Sequence, residues 1–275
     1  MAQSRMCPSC RAFINASDRT CPYCDAPVGQ RAIDRRMPGE ILGGLIPHAR
    51  FTTVMILLVN AGLFVATVIF SMRSGNENAI MGVDARTLVD FGAKFRPAIY
   101  LGQWWRLVTA GFLHGGLLHI GMNSWVLFDL GTQVEEVYGT SRMIVVYFLS
   151  SVFGFLASTW WSPSVSMGAS AALFGLIGAM IALGVRHKTS LGSHIRAQYV
   201  RWAIYGLLFG LLPGIDNAAH LGGLAAGFGC AYVAGLPRLV TSPVEKLWRL
   251  AAIGCLLLTV VSFLKMYISF AANNR

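Results

Sequence analysis

Charge is scarce in this sequence. Asp, Glu, Lys and Arg together make up 12% of the 275 residues, against about 25% in an average soluble domain, so the chain cannot cover its apolar surface with its own polar groups. That excludes an ordinary water-soluble fold for most of its length. Acidic residues are the scarcer sign, and the net charge of +10 could suggest nucleic acid. The basic residues, however, sit in short clusters between apolar runs with little aromatic interleaving. They read as topology signals, and no nucleic-acid partner is expected. Residues 1–50 contain no signal peptide, being polar, cysteine-bearing and basic, so this segment is expected to stay in the compartment of synthesis. Beyond it cysteine is almost missing: Cys230 and Cys255 stand singly in apolar segments and read as packing residues.

What is present is hydrophobic sequence, 55% of the chain, in runs of about twenty residues, the length that crosses a hydrocarbon core of about 30 Å. Candidate spans lie at 51–72, 107–130, 142–161, 169–185, 199–213, 217–235 and 249–270. Arg31, Arg35, Arg36 and Arg50 precede the first span, and Arg142 separates the second from the third. Arg186, Lys188, Arg196 and Arg201 flank the connection after the fourth, and Arg238, Lys246 and Arg249 that before the seventh. The connections around Pro163 and Asp216 carry no Lys or Arg. The positive-inside rule therefore puts the N-terminus in the cytosol and the C-terminus outside. The long connection 73–105 is an exception, since it holds Arg73, Arg86, Lys94 and Arg96 on the side assigned to the outside.

In the N-terminal head, Cys7-Pro-Ser-Cys10 and Cys21-Pro-Tyr-Cys24 form two CxxC pairs separated by ten residues. Each tight turn can aim two thiolates at one tetrahedral ion, which is how a closed structural zinc site is made. A pair of redox dithiols would need a βαβ setting that is absent here. The segment resembles small zinc ribbons, although Arg11 and Asp25 stand where glycine often follows the second cysteine. A four-thiolate site has no open position for catalysis, so its expected role is to fold the head. The sequence names no partner for that head.

Polar residues deep in apolar runs are expensive and mark function by default. In the second span, His119 and Asn123 are four residues apart, on one helix face and about 6 Å along the axis, whereas His114 and His119 diverge and make a poor zinc pair. Ser170 opens the fourth span among small residues, and His220 opens the sixth, followed by Gly222, Gly223 and Gly227. Spans two, four and six all begin on the outer side, so these residues share one depth. A serine hydroxyl becomes nucleophilic when a histidine takes its proton, and imidazole and amide donors can hold an oxyanion. Taken singly, each residue is more simply interhelical glue. The coincidence of depth is what favours a hydrolytic set.

The chain resembles the rhomboid family of intramembrane serine proteases. Gly168-Ala169-Ser170, His220 and His119-Ile-Gly-Met-Asn123 match the family motifs in order, Trp105-Arg106 matches the pair in the first loop, and Glu135 stands where a structural glutamate ends helix two. The resemblance implies an all-α polytopic membrane fold with a six-helix core at 51–235, joined by a basic linker at 31–50 to a zinc-ribbon-like head at 1–30. Residues 236–275 add a seventh transmembrane helix and tail. It implies Ser170 as nucleophile, His220 as base, and His119, Asn123 and the Ser170 amide as the oxyanion hole. Zinc would be held by Cys7, Cys10, Cys21 and Cys24, with no cofactor for catalysis. Substrates would be membrane proteins with a single span, cut near the outer face, and the connection 73–105 would lie along the membrane. The expected setting is the plasma membrane of a prokaryote. Trp105, Arg106 and Glu135 read as structural, Asp129 and Glu136 as solvated, and Asp216 as a helix cap, leaving a Ser-His dyad. Two departures stand out: Ala171 replaces a glycine and Phe174 a tyrosine. Two other readings use the same residues. An inactive rhomboid-like protein would bind transmembrane clients without turnover. A transporter would show broken helices or repeated halves, and no repeat is visible.

Overall fold

The computed structural model describes residues 4–7, 9–15, 17–26, 28, 50–238 and 242–273. The expected basic linker, with Arg31, Arg35 and Arg36, lies outside the described residues. The head carries a short antiparallel hairpin, β1 (Ser4–Met6) with β2 (Phe13–Asn15). Everything else is helical: α1 (Phe51–Arg73), α2 (Ala85–Asp90), α3 (Arg96–Tyr100), α4 (Arg106–Thr109), α5 (Leu117–Val126), α6 (Thr132–Trp161), α7 (Ser170–Arg186), α8 (Ser190–Phe209), α9 (Asn217–Ala234) and α10 (Pro243–Asn273). Among the described residues, helices at Phe51–Arg73, Leu117–Trp161 and Pro243–Ala272 are long and apolar enough to cross a membrane. The protein is an all-α integral membrane protein.

Two expected spans differ in their limits. The helix assigned to 107–130 starts at Leu117, because residues 106–112 form only short turns and the chain then extends through Leu113. From Val126 it continues through a π-helical turn, Leu127–Gly131, into α6. The run leaves helical geometry at Gly139, at φ 77° and ψ 159°, a conformation open to glycine and costly for other residues. The fifth span begins at Ser190 rather than 199, its first turn capped by Thr189 Oγ1, which accepts from Gly192 N.

Two of the four cations of the long connection have structural partners that account for their place in it. Lys94 is fully buried and donates Nζ to the carbonyls of Ser162 (2.6 Å) and Ser164 (3.0 Å). Burial pushes its ammonium below the ordinary lysine range. Arg96 donates to the carbonyls of Thr159 (2.6 Å) and Trp160 (2.5 Å). The last carbonyls of a helix have no partner within it, and these two cations satisfy them at the end of α6. Arg106 likewise holds the connection to α4 through the carbonyls of Val89 (2.6 Å) and Ala93 (3.0 Å). Lys94 and Arg96 are thus spent inside the fold, whereas Arg73 and Arg86 are exposed.

Glu135 has the structural role its position suggested. Its buried carboxylate accepts from the amides of Thr52 and Thr53 and from Thr53 Oγ1, each at 3.2 Å. It thus caps the start of α1 from a neighbouring helix, where the exposed amides favour an anion. The C-terminal helix is tied on by a second buried acid. Arg142 and Glu245 form a bidentate pair at 2.7 and 2.8 Å, both nearly inaccessible, and the Arg238 amide donates to the same carboxylate at 2.8 Å. Breaking such a pair leaves a charge buried alone, whereas removing both partners does not. Arg142→Met is therefore expected to cost about 3–5 kcal/mol, and the double variant Arg142→Met/Glu245→Leu to recover part of it. Thermal unfolding in detergent checks this, and a double variant that loses as much as the single one or more would show that Arg142→Met leaves no costly lone charge.

Candidate active site

The site rests on how closely α7, α6 and α9 approach. A methyl group added at Gly223 would strike the Ala171 backbone, and one at Gly227 the Gly175 backbone. One added at Gly178 would strike the Leu224 carbonyl. The glycines foreseen as small contacts on α9 thus face α7, and backbones meet where side chains would hold them apart. The methyl of Ala171 is accommodated by Gly154 on α6, where an added Cβ would come within 2.9 Å of it. Gly222 faces Phe153, Gly154 and Ala157 of α6. Gly154 was not singled out in the sequence, since nothing there distinguishes it among 30 glycines.

This packing places Ser170, at the first position of α7, beside His220, in the first turn of α9. Ser170 Oγ lies 3.0 Å from His220 Nε2. The Phe174 ring, one turn along α7, stacks on the imidazole with centroids 4.2 Å apart and planes 13° from parallel. The missing tyrosine hydroxyl does not prevent the stack. His220 Nδ1 is 3.2 Å from Asn217 Oδ1. Asp216 is the helix cap it was read as, accepting from Ala219 N at 3.1 Å while Ser158 Oγ donates to its other oxygen. Among the described residues, no acid is hydrogen-bonded to the His220 ring.

His119 comes to the same place. Gly115 N donates to its Nδ1 at 3.3 Å, and a neutral imidazole that accepts at one nitrogen carries its proton on the other. His119 Nε2 is therefore a donor. It points at Gly168, whose φ of 122° lies in the region that favours glycine. A Cβ built there would sit 2.6 Å from His119 Nε2 and 3.7 Å from Ser170 Oγ. The absent side chain leaves a small space between the hydroxyl and the imidazole donor, at the start of α7, where helix amides lack partners. Asn123 is buried, and its Nδ2 donates to the His119 carbonyl at 2.9 Å. An amide has two N–H donors, so one remains.

In the head, Cys7 Sγ is 3.7 Å from Cys24 Sγ and Cys10 Sγ 3.6 Å from Cys21 Sγ, with all four sulfurs within 4.8 Å of one another. The two knuckles repeat one geometry. Arg11 N bonds to Cys7 O and Cys7 N to Ala12 O, and Asp25 N bonds to Cys21 O and Cys21 N to Ala26 O. Arg11 and Asp25, in the glycine-like positions, take φ of 62° and 53°. Amides of Cys10 and Ser9 turned toward Cys7 hold its thiol down at about 6, which favours the thiolate that binds metals. The cluster can hold a metal ion.

The close packing has a direct test. Gly223→Ala should lower stability by about 1–3 kcal/mol, since the Ala171 backbone cannot yield as a side chain can. Gly229→Ala, where nothing lies within 4 Å, should be close to neutral in the same melting assay, and equal effects would show that the contact is not tight.

Comparison with known proteins agrees with this architecture. A family model, the Rhomboid domain, matches residues 101–237. Rhomboid-like protease 1 of Toxoplasma gondii is 32% identical over 278 aligned residues, covering 94% of this chain and 92% of that protein. Rhomboid protease GluP of Bacillus subtilis is 38% identical over 156 residues, 56% of this chain and 31% of that protein. Inactive RHOMBOID-like protein 8 of Arabidopsis thaliana is 37% identical over 160 residues, 56% of this chain and 45% of the relative. The chain thus spans about a third to a half of the length of several relatives it matches, and nearly all of one. It belongs to the rhomboid family.

Proposed function

We propose that the protein is an intramembrane serine endopeptidase that cleaves transmembrane-protein substrates with Ser170 and His220 as a dyad. The observation that carries this reading is the 3.0 Å contact between Ser170 Oγ and His220 Nε2, with a donor, His119 Nε2, facing the space beside the hydroxyl. Ser170 Oγ attacks the peptide carbonyl carbon while His220 Nε2 takes its proton. The carbonyl oxygen becomes an oxyanion held by His119 Nε2–H, the second Nδ2–H of Asn123 and the Ser170 amide. Collapse expels the amine, which takes the proton back from His220, and water hydrolyses the remaining ester by the same route. No cofactor is required. The inactive-protein reading draws support from Ala171 and from an inactive relative, but Gly154 accommodates that methyl and Phe174 keeps the stack.

The same proposal includes the domain limits given above and an N-terminus in the cytosol with the C-terminus outside. The sidedness rests on the connections around Pro163 and Asp216, which lack Lys and Arg. The prokaryotic plasma membrane belongs to the proposal too, although relatives in Arabidopsis and Toxoplasma take the family beyond prokaryotes. For the head we propose one structural zinc on Cys7, Cys10, Cys21 and Cys24. A Zn–S length of about 2.3 Å puts tetrahedral sulfurs about 3.8 Å apart, which matches the separations of 3.6 and 3.7 Å.

In lipid, the wild type should react with a fluorophosphonate probe and cleave at least one of a panel of single-span substrates, while Ser170→Ala and His220→Ala should do neither yet melt normally. A wild type inert in both assays, made reactive by Ala171→Gly, would favour the client-binding reading. For the head, elemental analysis should find one zinc per chain, and chelation or Cys21→Ala should expose residues 4–28 to added protease. Reduced protein free of zinc, with the head still resistant, contradicts the metal.

A further inference from the structure

The dyad reading leaves the second nitrogen of the base unassigned. A histidine can accept the serine proton on Nε2 only if its own proton sits on Nδ1. In the other tautomer Nε2 presents a hydrogen to the hydroxyl and has no lone pair to offer. His220 is buried and its ring stacks on Phe174. Stacking fixes the plane of the ring, but it does not choose between the two nitrogens.

Asn217 supplies that choice. Its Oδ1 faces His220 Nδ1 at 3.2 Å. Which end of an amide faces a partner is settled by the bonds of its other end, and here Asn217 Nδ2 donates to the Leu207 carbonyl at 3.1 Å. A carbonyl can only accept, so the nitrogen lies there and the oxygen lies on the imidazole. An amide oxygen can only accept, so the hydrogen between the two side chains belongs to His220 Nδ1. The amide is held tightly: it lies over Gly210, where a Cβ would collide with Asn217 Oδ1, Cγ and Nδ2. The neighbouring Asp216 is spent on the Ala219 amide and on Ser158, so the adjacent polar pair divides its work between helix and base.

We propose that Asn217 is the positioning residue of the general base, holding His220 in the Nδ1–H tautomer through its side-chain oxygen while Leu207 O and the gap at Gly210 hold the amide itself. His119 and His220 are thereby kept in opposite tautomers by opposite partners. Gly115 N–H makes His119 Nε2 a donor, and Asn217 Oδ1 makes His220 Nε2 an acceptor. The proton path balances: Ser170 gives its proton to Nε2, the imidazolium shares its Nδ1–H with Asn217 throughout, and Nε2 returns the proton to the departing amine. The inference rests on the serine-protease reading for its kinetics, but not for the placement of the proton.

The test uses the full-length protein in lipid, with imidazole nitrogens labelled and the His220 signals identified by their loss in His220→Gln. Wild type should show a protonated Nδ1 and an unprotonated Nε2 on His220. Asn217→Leu should redistribute the proton and lower kcat about 10- to 100-fold, the range found for outer partners of functional imidazoles, with KM within about twofold because substrate binding is untouched. Asn217→Asp keeps an acceptor for Nδ1–H and gives up the donor to Leu207 O, so it should keep the tautomer and most of kcat. If Asn217 only ties down the end of α8, Leu and Asp variants would fail alike with the tautomer unchanged. That result overturns the proposal, as does a wild-type proton on Nε2. A wild type that never reacts with fluorophosphonate overturns the protease reading, and the nitrogen signals still decide where Asn217 puts the proton.

Discussion

The structure depends on letting α7 and α9 touch backbone to backbone. Lipid offers no hydrophobic incentive for apolar helices to associate, so the contact must come from close packing and hydrogen bonds. Dispersion falls steeply with distance, which makes glycine at the seam decisive. Gly223 against Ala171 and Gly227 against Gly175 bring the axes close enough for a side chain as short as serine to reach a histidine on the facing helix. A larger residue at either glycine would press on the carbonyl of Ala171 or Gly175 and drive Ser170 away from His220. The chemistry is downstream of a steric condition, and 13 of the 17 residues of α7 are buried as its consequence.

The second constraint is that every polar backbone end must find a partner where water is scarce. The protein meets it by lending polar side chains from one element to the end of another. Glu135 serves the first amides of α1, Lys94 and Arg96 the last carbonyls of α6 and the strand-like segment after it, and Asn217 a carbonyl in the last turn of α8. Each is a long-range bond, so each also fixes one segment against another. The loop that seemed to break the topology rule is therefore a clamp: Lys94 and Ser166 pair through both backbone groups, and Ser166 lies four residues before Ser170.

How much of this was legible in the sequence follows from what kind of contact each residue makes. Hydrophobic runs and CxxC spacing are local patterns, so the helical membrane fold and the sulfur cluster could be read directly. The gathering of His119, Ser170 and His220 was legible only through topology, because depth in a bilayer converts distant positions into neighbours. Ala171 was recognised as a problem, but its solution in Gly154 was not, since one glycine among many gives no sign of which helix it faces. The spacing of three between Asn217 and His220 puts both on one helical face, but spacing alone does not say which ring nitrogen the amide meets.

The C-terminal helix shows how an addition can be joined without disturbing the site. Its contacts fall on α6, α4 and α2. Phe263 meets Phe112 with centroids 5.4 Å apart, Phe270 meets Phe70 and Phe91 at 5.2 and 5.0 Å, and Met266 lies over Gly92. Gly92 O in turn accepts from Thr109 Oγ1 at 2.7 Å, one residue before Ala110, whose carbonyl holds the Gly168 amide at 2.9 Å. A packed chain thus runs from α10 through the long connection to the glycine beside Ser170. A glycine at φ 122° has no side chain to pin it, so its place is set by that backbone bond. The C-terminal helix therefore packs against the segment that stands behind Gly168, and the Arg142–Glu245 pair ties its other end to α6.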